Sequence, residues 1–298
     1  VSRAALSVVV PSVNGSQDLD GALAALEAQG SPDVLEIVVV DRLGEDVRDH
    51  VRHKFPRVHV LPVPKSATIP QMRAVAFAAC TADAVAVIED HVIVPRGWAN
   101  ALLSAMNGTR RVVGGSVENA ATRTLTDWAA FLCEYSHCMN PLPSGPASWL
   151  TGNNVVYPRK LLEEFRGVIA EGAWENRLHD AMRTAGVALV CHPEIAVGHK
   201  KHFTVSEYLG QRYLYARSYA GARVRGRSVG ARLAYAAAAV ALPPLLLWRT
   251  VSRVVSKRRH IGHLVRSLPL LGLFVCAWAA GEVVGYARGA GDSLSRVR

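Results

Sequence analysis

The chain has no acidic residue between Glu207 and Glu282, although that stretch carries twelve arginines and lysines. No G-x-G-x-x-G follows its first strand-like segment, which ends in Pro11-Ser12-Val13-Asn14, so a dinucleotide-binding Rossmann unit is a weak rival. P-loop, G-x-S-x-G and H-E-x-x-H motifs are also missing. The five cysteines are odd in number and form no C-x-x-C pair, which argues against a disulfide framework and for reduced thiols. Cys133 and Cys138 lie five apart with no matching histidine pair to complete a zinc site. Aromatics are only 7% and do not interleave with the basic residues, so no nucleic-acid partner is expected. The opening VSRAALSVVVPS runs straight into a strand-like segment, so no cleavable signal peptide is expected.

What is present is apolar and basic. Half of the 298 residues are hydrophobic and the net charge is +10, with the excess base beside the most apolar segments of the C-terminal third. That combination fits an anionic membrane surface. Upstream, short apolar strands at Leu6–Val10, Glu36–Val40, Val58–Val63 and Ala84–Ile88 alternate with helices at Leu19–Gln29 and Ile69–Ala79. Gly30 to Asp33 ends the first helix. The alternation predicts an α/β fold: a parallel sheet with helices on both faces. Further on, Arg111–Asn119 reads as a strand with paired glycines, Thr126–Tyr135 as a helix burying Trp128 and Phe131, and Ser148–Tyr157 as strand-like. Glu171–Gly186 reads as a helix with Trp174, Leu178 and Met182 inward, and Val187–Cys191 as a last strand.

The stretch that organises the chain is AVAVIEDHVIVPRGW, Ala84 to Trp98. An apolar run ends abruptly in Glu89, Asp90 and His91, and Pro95, Gly97 and Trp98 then punctuate the start of a helix. In an open α/β sheet ligands bind at the carboxyl ends of the strands. A carboxylate and an imidazole delivered there suit a divalent cation; taken alone, the tripeptide also suits a turn capping the next helix.

Taken in order, these segments resemble family 2 glycosyltransferases of the GT-A fold, from about Leu6 to Tyr213. LSVVVPSVN resembles the family's opening strand and P-x-x-N turn, which implies a nucleotide pocket shaped by Pro11 and Asn14. EIVVVD resembles the strand whose terminal aspartate, here Asp41, contacts the base, although Arg42-Leu43-Gly44 follows where the family often has Asp-Gly-Ser. PQMRAVAFAAC resembles the segment that brings an arginine, here Arg73, near the nucleotide. AVIEDHVIVPRGW resembles the D-x-D strand, with Glu89 and His91 on the two aspartate positions as metal ligands and Asp90 beside the nucleotide. SWLTGNNVVY resembles the T-G-x-N segment of the sugar pocket, which implies Gly152 and Asn153 there together with Trp174. GAWENRLHDAMRTAG resembles the E-D-x-x-L helix and aligns Glu175 with the general base. His199 matches a histidine that closes the site and serves as a third metal ligand; His192 and His202 are read as structural.

The resemblance implies a GT-A mixed sheet over residues 1–210 and a basic, apolar helical region over 211–298. It implies inverting, metal-dependent transfer of a sugar from a nucleotide-diphosphate donor, UDP-sugar favoured, to a hydroxyl on a glycan or lipid-linked acceptor. Histidine among the ligands tilts the expected cation to Mn²⁺ over Mg²⁺. Because Glu89, His91 and Glu175 all depart from aspartate, a catalytically silent relative acting as membrane scaffold or partner subunit is the alternative.

Beyond Tyr213, Ala231–Trp248 is apolar but broken by Pro243-Pro244, and Leu268–Gly281 is short of the roughly twenty residues that span a bilayer. Basic flanks on both sides of the first stretch want the cytoplasm. The favoured expectation is a catalytic domain at the cytoplasmic face of the membrane, held by in-plane or re-entrant helices. Two short tilted spans, or two core helices of a soluble protein, remain the alternatives.

Overall fold

A computed structural model describes residues 4–29, 35–106 and 110–298. The expected turn at Gly30–Asp33 lies outside the described residues. In chain order the elements are β1 (Leu6–Ser12), α1 (Ser16–Glu27), β2 (Leu35–Asp41), α2 (Glu45–Lys54), β3 (His59–Pro62), α3 (Ile69–Ala79), β4 (Ala84–Val87), β5 (Val92–Ile93), α4 (Trp98–Ala105) and β6 (Arg111–Asn119). There follow α5 (Leu125–Tyr135), β7 (Gly145–Pro146), β8 (Val155–Pro158), α6 (Arg159–Glu164), α7 (Arg166–Ala170), α8 (Glu175–Thr184) and β9 (Ala188–His199). Five helices close the chain: α9 (Val205–Arg223), α10 (Val229–Ala239), α11 (Leu242–Lys257), α12 (Ile261–Arg288) and α13 (Ser293–Arg296).

The chain forms two compact units, one of residues 1–120 and 138–200, the other of residues 121–137 and 201–298. The first holds a mixed sheet in the order β3-β2-β1-β4-β8-β6-β9-β5, with β7 on β9. Strands β3, β2, β1 and β4 run parallel, as the strand–helix alternation predicts. Val8 to Val10, Val38 to Val40 and Val85 to Val87 are buried, the mark of strands covered on both faces. From β8 onward the sheet turns mixed: β8 is antiparallel to β4 and β6, and β9 runs parallel to β6.

Several expected boundaries move. Of the strand-like run Ser148–Tyr157, only Val155 onward is strand; 151–154 is a turn, in which the Asn154 amide bonds the Thr151 carbonyl. The buried Asn154 side chain donates from Nδ2 to the carbonyls of Ser116 and Ile195 and accepts from Trp98 Nε1, stapling β6, β9 and α4 together. The paired glycines of β6 serve that staple. A Cβ on Gly115 would meet the Ile195 carbonyl oxygen at 1.8 Å, so a backbone makes the close approach there. Helix α8 begins at Glu175 instead of Glu171, because Gly172 has φ +65° and Trp174 is extended. Strand β9 continues past Cys191 to His199 despite Pro193, and the β6–β9 register shifts between Gly114 and Ser116. Helix α2, with Val51 its one buried residue, has too few apolar positions to show as periodicity.

In the second unit α5 groups with α9 to α13, and residue 210 lies within α9. Trp128 and Phe131 of α5 are buried, as expected. Helix α12 packs along α9 through small residues. A Cβ on Gly281 would lie 2.3 Å from the Tyr213 carbonyl oxygen, and one on Gly285 2.6 Å from that of Arg217. Glu282 is buried in this half of α12, where it accepts from Trp278 Nε1 and the Tyr286 hydroxyl, each at 2.8 Å. The second apolar stretch is longer than the sequence suggests. With Pro269 inside it, α12 runs 28 residues and is long and apolar enough to cross a membrane. Helices α10 and α11 meet at a 53° bend near the expected Pro-Pro break.

Candidate active site

The expected ligands meet through sheet pairing. β4 delivers Glu89, Asp90 and His91 past its end, and the antiparallel pair β5–β9 sets Val92 opposite His199. The Nε2 atoms of His91 and His199 are 2.9 Å apart, with the rings edge to face at 87°. Glu89 Oε2 lies 3.3 Å from His91 Nε2. One ligand atom from each of Glu89, His91 and His199 fits within a 4.8 Å spread, the dimension of a first coordination sphere. A carboxylate oxygen and two imidazole nitrogens suit Mn²⁺ or a similar divalent cation. These residues fit the group.

The cluster carries strong local charge. Burial works against the imidazolium of His91, but the Asp90 and Glu89 carboxylates outweigh it and push the group up to about 10. Burial likewise opposes the Glu89 carboxylate, while His91, His199 and Arg73 hold it down at about 2.

Asp90, expected beside the nucleotide, spends its carboxylate on the protein itself. It is fully buried; Oδ2 accepts from the Val13 and Asn14 amides, and Oδ1 from Asn14 Nδ2 and His91 Nδ1. Asp41 is also fully buried. It accepts from Ser12 Oγ at 2.9 Å, the Gly44 amide at 3.1 Å and Arg48 Nη1 at 3.1 Å, and its partner Arg48 stands on the helix that the sequence did not announce. Pro11 is buried inside β1, and Asn14 lies just past its end with its side chain on Asp90.

Across the site Arg73 Nη1 donates to Glu175 Oε2 at 2.9 Å, and Nη2 donates to the Gly152 carbonyl. Burial opposes the charge of Arg73, but Glu175 and Glu89 raise its pKa, so it stays a cation. A Cβ on Gly152 would stand 2.6 Å from Glu175 Cδ, so the end of the Glu175 side chain packs directly on this glycine. Its neighbour Asn153 accepts from Thr151 Oγ1 and donates from Nδ2 to Glu89 Oε2. Adjacent residues thus touch both carboxylates. Trp174, Phe77, Tyr157, Val168 and Ile169 wall a recess of about 440 Å³, counting its open mouth, beside Arg73 and Glu175. His192 pairs with Glu194 and, in the other unit, His202 pairs with Asp127.

Asn154 and Arg48 are the residues that sequence reasoning missed. For Asn154 the signal was its position next to Asn153 in the T-G-N-N run; Arg48 had none.

The family model for glycosyl transferase family 2 matches residues 7–165. No curated protein matches the chain. Among solved structures, the mannosyltransferase PcManGT from Pyrobaculum calidifontis, in complex with GDP-Man and Mn²⁺, is similar with a TM-score of 0.55 at 17% identity, covering 94% of this chain and 87% of that one. S. aureus TarS is similar with a TM-score of 0.50 at 16% identity over 70% of this chain, which spans 38% of TarS. The chain belongs to glycosyl transferase family 2 and is a glycosyltransferase of the GT-A fold.

Proposed function

We propose that the chain transfers a sugar, with inversion at the anomeric carbon, from a nucleotide-diphosphate donor to a hydroxyl of a glycan or lipid-linked acceptor at the cytoplasmic face of a membrane. The observation that carries this reading is the Gly152–Asn153 pair, with Gly152 abutting Glu175 and Asn153 bonded to Glu89. It ties a proton acceptor to the cation cluster through one peptide.

A divalent cation held by Glu89, His91 and His199 would supply Lewis-acid stabilisation to the leaving diphosphate. Mn²⁺ is favoured over Mg²⁺ because two of the three ligands are imidazoles, and the related PcManGT was solved with Mn²⁺. Glu175 takes the proton of the acceptor hydroxyl, and Arg73 aims its carboxylate. The apolar walls beside it, Trp174 among them, exclude water and receive the acceptor. Pro11, Asn14 and Asp41 frame the donor nucleotide at the end of β1 and β2. UDP-sugar is the favoured donor, and the GDP-Man of PcManGT makes a GDP-sugar its first competitor.

Residues 1–210 serve catalysis in this proposal and 211–298 hold an anionic membrane. Among the described residues, all the large exposed apolar side chains except Val75 and Leu125 lie between Val229 and Leu273, on α10, α11 and the first half of α12. Basic residues from Arg249 to Arg259 share that surface. Since the second half of α12 is packed on α9 with Glu282 buried, an in-plane orientation is favoured over a simple span. Thermal shift with UDP, GDP, dTDP and CDP, each with and without Mn²⁺, tests the donor reading, because a ligand of the native state raises its stability. One nucleotide should raise Tm only with the cation; no response to any of them rejects the reading.

A further inference from the structure

We propose that Asp90 is a positioning residue, which sets the tautomer of His91 so that its Nε2 lone pair is free for the cation. The inference rests on the cation site proposed above. An ionised carboxylate offers about four lone-pair directions. Asp90 fills them with the Val13 amide at 2.7 Å, the Asn14 amide at 2.8 Å, Asn14 Nδ2 at 2.7 Å and His91 Nδ1 at 3.0 Å. It is fully buried and has no acceptor capacity left for a ribose or a base.

Two neighbours compete to define His91 Nδ1. Asp90 Oδ1 requires a proton on it; Asn14 Nδ2, at 3.2 Å, would require a lone pair. The carboxylate is closer and charged, and Asn14 Nδ2 already donates to Asp90 at 2.7 Å. The proton therefore sits on Nδ1. That leaves Nε2 as the ligating nitrogen, facing His199 Nε2 and Glu89. Ligating histidines are commonly fixed in this way by a carboxylate behind the ring. The same carboxylate grips the first two residues beyond β1, so the chain end that frames the nucleotide and the cation ligand share one anchor.

Asp90→Asn separates this role from packing, because it preserves shape. The two backbone amides claim the new carbonyl oxygen, which turns the new NH₂ toward His91 Nδ1. That ring must then accept on Nδ1 and carry its proton on Nε2, where it blocks the cation. The experiment measures Mn²⁺ affinity by electron paramagnetic resonance and the imidazole protons of the metal-free protein by ¹H–¹⁵N NMR, with thermal melting to confirm folding. The parent should show a slowly exchanging Nδ1 proton, and the folded variant should lose that signal and bind Mn²⁺ at least tenfold more weakly. The proposal is overturned if Nδ1 carries no proton in the parent, or if the folded variant binds Mn²⁺ within twofold of the parent. A parent that shows the Nδ1 proton yet takes up no Mn²⁺ rejects the cation reading, and the positioning role with it. Should Asp90→Asn fail to fold, the parent's Nδ1 signal and Mn²⁺ uptake still decide both points.

Discussion

His91 and His199 stand 108 positions apart in the chain, yet their Nε2 nitrogens are 2.9 Å apart. The β5–β9 pairing creates that contact and with it the three-ligand cluster. His199→Ala should reduce Mn²⁺ affinity by more than the ~10–100-fold typical of outer-shell changes, with the fold retained. Isothermal titration checks this, and unchanged affinity would remove His199 from the ligand set.

Without metal, the cluster should make stability depend on pH in a defined window. His91 is pushed up to about 10, above its unfolded value of about 6.5, so its contribution is full below about 6.5 and is lost as pH rises through 10. Glu89 is held at about 2, so its contribution is present above about 4.5 and is lost as pH falls through 2. Tm in EDTA should therefore be highest near pH 5–6. The cation must displace the His91 proton, so the Tm gain from Mn²⁺ should grow between pH 6 and 9. A gain independent of pH contradicts the proton-for-cation exchange.

Gly152→Ala should leave the protein folded and slow it. The added Cβ meets the flexible end of Glu175, so the carboxylate yields by about an ångström instead of the backbone. A misplacement of that size costs up to ~100-fold in kcat. Steady-state kinetics would show the loss in kcat with donor KM little changed.

Glu175→Gln keeps the contact with Arg73 and removes the proton acceptor, which should lower kcat by ~10²–10⁴-fold. Arg73→Gln leaves the half-buried Glu175 without its cation and should cost ~3 kcal/mol of stability. It should also lower kcat, since the Glu175 carboxylate loses the guanidinium that aims it. An unchanged kcat would argue that another group is the base.

Trp248 and Val240 are among the most exposed large apolar side chains of the C-terminal helices. Changing both to Asp should abolish co-sedimentation with phosphatidylserine vesicles, and the parent's binding should weaken with salt. Equal binding to neutral and anionic vesicles would discount the basic residues.

How much of this was legible follows from where each signal lives. The four parallel strands and α3 were readable because burial sets apolar runs within a single element. The Ser148–Tyr157 run misled because β-branched and aromatic residues flank Asn153 and Asn154, whose side chains are engaged in bonds to distant strands and loops. Helix α2 was silent because it buries one residue.

The amino-acid order alone determined the family and the parallel half of the sheet, since these rest on residue type and local spacing. Tertiary structure decided that His199 meets His91, that Asp90 stands behind the ring, that Arg73 grips Glu175, and that α5 belongs with the C-terminal helices. Each of these depends on sheet register or helix packing between segments far apart in the chain, and no local pattern carries that information.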